Sequence, residues 1–179
     1  MQVSFAAKRP ADTDVIGFII SKSAWEGFEL PLDNPQAARE TAKLARFEGN
    51  AGQSFLYFAQ EGGRSVRIVL IAVGDGDAAD YIKAGGDLLA KVQTCGAKTI
   101  AVHAENLDAK AAAEVAYGAT LRNWRMDKYR TKLPETSKPT VTELKAVDQY
   151  DGIRWRFTAD VELTQSGSFG YNVRVLPKH

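Results

Sequence analysis

Two near-continuous apolar runs constrain this chain more than anything else in it: Thr13–Ser21 (TDVIGFIIS) and Ser65–Val73 (SVRIVLIAV). Both are rich in β-branched residues and neither alternates with polar ones. That is the pattern of a strand covered on both faces, so helices must lie above and below it. Two stretches of helix-forming composition, Ala78–Cys95 and Ala109–Trp124, supply such cover. The predicted fold class is α/β: a mixed sheet flanked by helices, with right-handed crossovers.

Further elements fill in around these. Gln2–Ala6, Gln53–Ala59, Thr99–His103 and Val141–Val147 read as strands. Lys22–Gln36 reads as a loop, with Asp33 or Asn34 capping a helix over Gln36–Phe47 that Gly49 ends. Glu61-Gly62-Gly63 is a turn, and Asp108 caps the Ala-rich helix. Lys128–Lys138 reads as a polar connector. After Gln149 the texture changes. Ile153–Leu163 and Phe169–Leu176 alternate apolar and polar residues about a turn at Gln165–Ser168, which predicts an antiparallel β-hairpin with one apolar face. Two domains are expected, 1–147 and an appended segment, 148–179. Two strands alone are marginal in water, so this hairpin is expected either to extend the sheet by edge pairing or to mediate self-association.

Composition excludes several classes. The 179 residues are 45% hydrophobic and 25% charged, which rules out disorder, collagen and coiled coil for the chain as a whole. Lys plus Arg is 23 against 22 Asp plus Glu, without the basic excess of a protein built to hold a polyanion. The one cysteine, Cys95, forms no intrachain disulfide and fits a reducing compartment. No apolar run approaches the roughly 20 residues of a membrane span, and the N-terminus lacks a leader pattern. The expectation is a cytoplasmic protein with no membrane partner.

Candidate sites are few. Gly74-Asp75-Gly76-Asp77 ends a strand just before a helix, where α/β proteins bind ligands. It is not G-x-G-x-x-G, and Asp75, Asp77 and Asp80 would repel phosphate, so a plain turn with Asp77 as N-cap competes with a nucleotide site. Gly85-Gly86 suits either a hinge or close packing of helix on sheet, and packing is favoured. His103 and Cys95 read as structural residues, and no HExxH or paired-carboxylate motif is present. No metal or cofactor is expected. The stretch Arg122–Lys132 places Arg122, Arg125, Lys128, Arg130 and Lys132 around Trp124 and Tyr129. Basic residues interleaved with aromatics suit nucleic acid. Contact with another domain or subunit is the stronger reading, with Trp124 anchoring the helix.

Several strings resemble a known family. They are Arg46-Phe47-Glu48-Gly49 with Gly52-Gln53-Ser54-Phe55, Val66–Val73 running into Gly74, Ala84-Gly85-Gly86, Arg125–Leu133, and Lys138-Pro139-Thr140. In this order and spacing they resemble the N-terminal domain of the leucyl (cytosol) aminopeptidases over about residues 1–147. The resemblance implies a macro-like α/β architecture. It also implies that the chemistry, two divalent metals beside an Asn-Thr-Asp-x-Glu-Gly-Arg motif, belongs to a separate C-terminal domain. That motif does not occur here, so no catalytic residue carries over and no enzyme is expected. Gly167–His179 (GSFGYNVRVLPKH) resembles instead the C-terminal hairpin of bacterial α-glucan phosphorylases, which makes the chain a composite. The expected function is a non-catalytic accessory or assembly domain that self-associates or contacts a catalytic domain. The rivals are a macro-like nucleotide or ADP-ribose module at Gly74–Asp77 and a DNA-binding module at 122–132.

Overall fold

The computed structural model describes residues 1–6, 8–103, 107–124, 132 and 134–147, together with the backbone of 160–166 and 170–176. Six strands form one sheet: β1 (Gln2–Ala6), β2 (Val15–Ser21), β3 (Ser54–Glu61), β4 (Arg64–Gly74), β5 (Thr99–His103) and β6 (Glu143–Val147). Their order is β1-β6-β5-β2-β4-β3, parallel throughout except for the antiparallel β3–β4 hairpin. The helices are α1 (Lys22–Trp25), α2 (Pro35–Leu44), α3 (Ala78–Val92) and α4 (Ala109–Asn123), with a 3-10 turn at Glu135–Ser137.

The two apolar runs became the two central strands, and alternation along them divides the interior into two cores. Val15 and Ile19 of β2 join Val69, Ile71 and Val73 of β4 beneath α3 and α4, against Leu88, Leu89, Val92 and Val115. Ile16, Phe18 and Ile20 join Ile68, Leu70 and Ala72 on the other face, under Trp25, Leu30, Ala38, Ala42 and Phe47. A strand buried on both faces needs no polar positions, which is why neither run alternates.

Three sequence expectations are corrected. Lys22–Trp25 is a turn of helix rather than loop, because the Ser21 hydroxyl accepts the Ala24 N–H (3.3 Å). Helix α2 stops at Leu44, before Gly49. Arg46 takes the left-handed conformation there (φ 55°), so that Arg46 N–H reaches the Lys43 carbonyl and Phe47 N–H the Ala42 carbonyl, both at 2.9 Å. This is the Schellman arrangement with arginine in the usual glycine position, and it turns Phe47 back into the core. Helix α3 ends at Val92, short of Cys95. The caps Asn34, Asp77 and Asp108 are as expected.

The chain divides into two compact units, Met1–Gln149 and Tyr150–His179. In the second, β7 (Asp160–Ser166) pairs antiparallel with β8 (Gly170–Leu176) in a two-stranded sheet of its own, so Gln165 and Ser166 are strand rather than turn. The stretch 153–159 of the expected first strand lies outside the described residues. By register Val161, Leu163 and Gln165 stand opposite Val175, Val173 and Tyr171, and Glu162 stands opposite Arg174. By alternation positions 161, 163, 171, 173 and 175 share one face, and position 176 falls on the other.

Candidate functional site

The turn Gly74–Asp77 is built to begin a helix. Gly74 and Gly76 both have positive φ (63° and 73°), and a Cβ on Gly76 would lie 2.8 Å from the Tyr81 hydroxyl, which closes over the turn. The Asp77 carboxylate accepts the Asp80 N–H (2.9 Å), and the Asp80 carboxylate accepts the Asp77 N–H (3.2 Å). This reciprocal capping box occupies donors that an anion would need at the start of α3, with carboxylates already in the anion's place. Burial, then the charges of Asp108, Glu114 and Asp80, raise the Tyr81 pKa and keep its phenol neutral. A shallow cavity of about 200 Å³ lies beside the turn, bordered by Ala51, Gly52 and the Lys83–Asp87 ion pair (2.8 Å).

Of the basic stretch, Arg122, Trp124 and Lys132 are described and exposed. Arg125, Lys128, Tyr129 and Arg130 lie outside the described residues. Trp124 is 61% exposed where α4 gives way to extended backbone, so it does not anchor the helix as its size suggested.

Two features escaped the sequence reading. The first is a groove of about 800 Å³ between the segment after α1 and helix α2, with Trp25, Phe28 and Leu30 for walls and Glu26, Glu29 and Glu40 among its lining residues. Arg39 fixes its shape: the guanidinium lies 4.6 Å from the Trp25 ring centroid and donates to the Trp25 (2.7 Å) and Phe28 carbonyls. With those bonds made, Arg39 is a brace.

The second is Glu61, the last residue of β3, whose side chain is only 5% exposed. One carboxylate oxygen takes Arg9 Nη2 at 2.9 Å and the other takes the Asp33 N–H at 2.9 Å. The Asp33 carboxylate in turn accepts the Gly62 N–H (2.6 Å). Read from sequence, Glu61 was only the first residue of a turn.

Of the strings that carry the family resemblance, Arg125–Leu133 lies outside the described residues apart from Lys132, and residues of the others hold the fold together. The Gln53 side-chain oxygen accepts the Glu48 and Asn50 N–H groups, both at 3.0 Å, while its amide donates to the Arg46 carbonyl (3.1 Å). Gly49 gives way to Trp25, which meets Phe47 edge-on at 4.9 Å. Gly85 packs on α4 rather than on the sheet. Thr140 ties the end of α3 to the start of β6, its N–H on the Gln93 carbonyl (2.7 Å) and its hydroxyl on the Gly96 N–H (3.1 Å). His103 is buried and stacked on Phe18 at 4.9 Å. Among the described residues no three His, Cys, Asp or Glu side chains gather in a way that could hold a metal ion, and no helix is long and apolar enough to cross a membrane.

Tyr57 gives a testable detail. Its ring stacks on Phe55 (5.2 Å between centroids), and its buried hydroxyl has no hydrogen-bond partner among the described residues. Burial, then the charge of Glu61, push its pKa up to about 12. The folded chain therefore keeps this proton where the unfolded chain has lost it, and stability falls as pH rises from about 10 to 12. Tyr57→Phe is expected to flatten that fall and, by removing a buried unpaired hydroxyl, to leave neutral-pH stability unchanged or up to about 1 kcal/mol higher. Urea titrations at several alkaline pH values would check both.

Taken together, the sheet, its two helical layers and the structural role of the motif residues define a three-layer α/β domain. The chain belongs to the cytosol aminopeptidase family, whose N-terminal domain matches residues 33–133. Residues 90–179 match the glycogen phosphorylase C-terminal domain, so that likeness begins within α3 and is much wider than the hairpin motif suggested. Curated relatives are probable cytosol aminopeptidases. That of Sinorhizobium fredii is 30% identical over 119 residues, covering 64% of this chain and 24% of its own length. The Rhizobium leguminosarum bv. trifolii protein is 36% identical over 106 residues (56% and 21%). The Sinorhizobium medicae protein is 30% identical over 146 residues (78% and 29%). The chain thus spans about a quarter of the length of these relatives. Similar solved structures include a mutant tomato leucine aminopeptidase, with TM-score 0.58 and 20% identity over 85% of this chain and 34% of that one. Another is the Leishmania major leucyl aminopeptidase in complex with actinonin, with TM-score 0.52 and 14% identity over 89% and 31%. At these identities the likeness concerns the fold.

Proposed function

We propose that the α/β unit is a non-catalytic accessory domain of aminopeptidase type, acting in the cytoplasm through contacts with other chains or with a catalytic domain. The observation that carries this reading is the extent of the match: the chain aligns with the N-terminal domain of the family and with about a quarter of each relative. The strings shared with the family serve packing and capping, as a scaffold requires. The capping box at Asp77 and Asp80 argues against the rival nucleotide reading, since it fills the helix end that would hold a phosphate. Leucine-p-nitroanilide with added Mn²⁺ or Zn²⁺ is expected to show no turnover by this chain. Measurable metal-dependent hydrolysis by the purified protein would overturn the proposal.

A further inference from the structure

We infer that strand β3 is a self-pairing edge, through which two copies of this chain join their sheets about a two-fold axis. This deepens the assembly reading above by naming the surface. Strand β3 ends the sheet order, so one side of its backbone has no neighbouring strand among the described residues. Free edges are normally blunted by lysine, proline, a bulge or a short strand. β3 has none of these devices: its eight residues, SFLYFAQE, pair with β4 in unbroken register and hold one charge, Glu61, which is turned inward to Arg9. The opposite edge, β1, has only five residues.

The middle of β3 carries two solvent-exposed apolar side chains on one face. Leu56 stands opposite Val69 and Phe58 opposite Arg67, on the side where α3 and α4 cover the neighbouring strands. Leu56 is 36% and Phe58 66% exposed, and the Arg67 guanidinium lies over Phe58 (5.1 Å to the ring centroid).

A second copy fits this edge for reasons of symmetry and charge. An antiparallel pairing of β3 with itself, centred on Tyr57, sets Leu56 of one copy opposite Phe58 of the other, twice, and Phe55 opposite Ala59 on the reverse face. No charged residue between Ser54 and Gln60 meets its own image. The two Arg67 side chains sit three strand spacings apart, about 14 Å, beyond the screening length of about 8 Å at physiological salt. Main-chain hydrogen bonds would supply the pairing and the crossed Leu56–Phe58 contacts its register.

Sedimentation equilibrium on the full chain tests this. The wild type is expected to dimerise reversibly. Phe58→Lys, at an exposed position that leaves the fold intact by circular dichroism, is expected to weaken the dimer at least tenfold. Leu44→Lys, on α2 and still more exposed than Phe58, serves as the control and is expected to leave it unchanged. A chain still monomeric at about 1 mM, the weak end of specific association, overturns both this surface and the self-assembly reading. A dimer indifferent to Phe58→Lys overturns the edge alone. If Val173→Lys in the hairpin weakens that dimer instead, the association runs through the second unit, and the edge is likewise overturned.

Discussion

Gly118→Ala is expected to destabilise the α/β unit by about 3 kcal/mol or more, seen as a large drop in the urea midpoint. The reason is the closeness of α3 and α4. A Cβ on Gly118 would lie 1.8 Å from the Ile82 carbonyl oxygen and 2.6 Å from its carbon. The same holds in reverse for Gly85, whose Cβ would lie 1.9 Å from the Val115 oxygen. A backbone carbonyl inside a helix cannot swing aside as a side chain can, so the helices would have to part. Parting them opens the core at Leu88, Val115 and Ala119, all nearly inaccessible now. Gly85→Ala should lose a similar amount, and the double variant less than the sum, because one separation relieves both clashes. Gly86→Ala is the contrast. Its Cβ would find nothing nearer than the Gly118 oxygen at 3.6 Å, and alanine favours a helix over glycine by about 1 kcal/mol. That variant should be neutral or stabilised. A Gly118→Ala protein with wild-type stability would show that the helices do not cross this closely.

Glu61→Ala is expected to remove about 2–3 kcal/mol. The carboxylate joins three segments: Arg9 before β2, Asp33 before α2, and the β3–β4 turn, which Asp33 also holds through Gly62. Alanine leaves the Asp33 N–H and the Arg9 guanidinium without this acceptor. The loss stays below the 3–5 kcal/mol of a wholly buried pair, because Arg9 is 22% exposed and water recovers part of its charge. Glu61→Gln keeps an acceptor oxygen for only one of the two donors and sets an NH2 against the other, so it should lose an intermediate amount, about 1–2 kcal/mol. Guanidinium denaturation of the three proteins would rank them; an alanine variant within about 0.5 kcal/mol of wild type would mean that the network is idle.

The layered fold was readable because burial on both faces writes itself into composition: a strand such as Val15–Ile20 has no solvent face to mark with polar residues. Caps at Asn34, Asp77 and Asp108 were readable because capping is local chemistry. What the sequence hid was long-range or exceptional. Nothing local says that Gly85 meets α4 rather than the sheet, since its partner Val115 is thirty residues away. The end of α2 was misplaced because arginine, not glycine, takes the left-handed position at residue 46. Trp124 misled in the other sense, as an aromatic whose size suggested burial. Glu61 gave no sign of its partners, which lie 52 and 28 residues away. The open side of Phe58 was equally invisible, because a strand's place at the edge of a sheet belongs to the topology and not to its own residues.

The pairing of β1 with β6 carries a consequence for how the chain is made. Strand β1 leaves the ribosome before the other strands of its sheet, and among the described residues it is flanked only by β6, the last of them, with Gln2 beside Glu143 and Ala6 beside Val147. At about 5–20 residues per second, β1 waits on the order of ten seconds for its partner to be synthesised. During that wait β2, β3 and β4 can pair, since all three precede residue 75, but the sheet stays open at the far end. The sheet is therefore completed by β6, a strand that lies beyond the aminopeptidase-type match at 33–133 and within the phosphorylase-type match at 90–179. A nascent chain halted before residue 140 should be far more open to protease at its first strand than one halted after the whole unit has emerged.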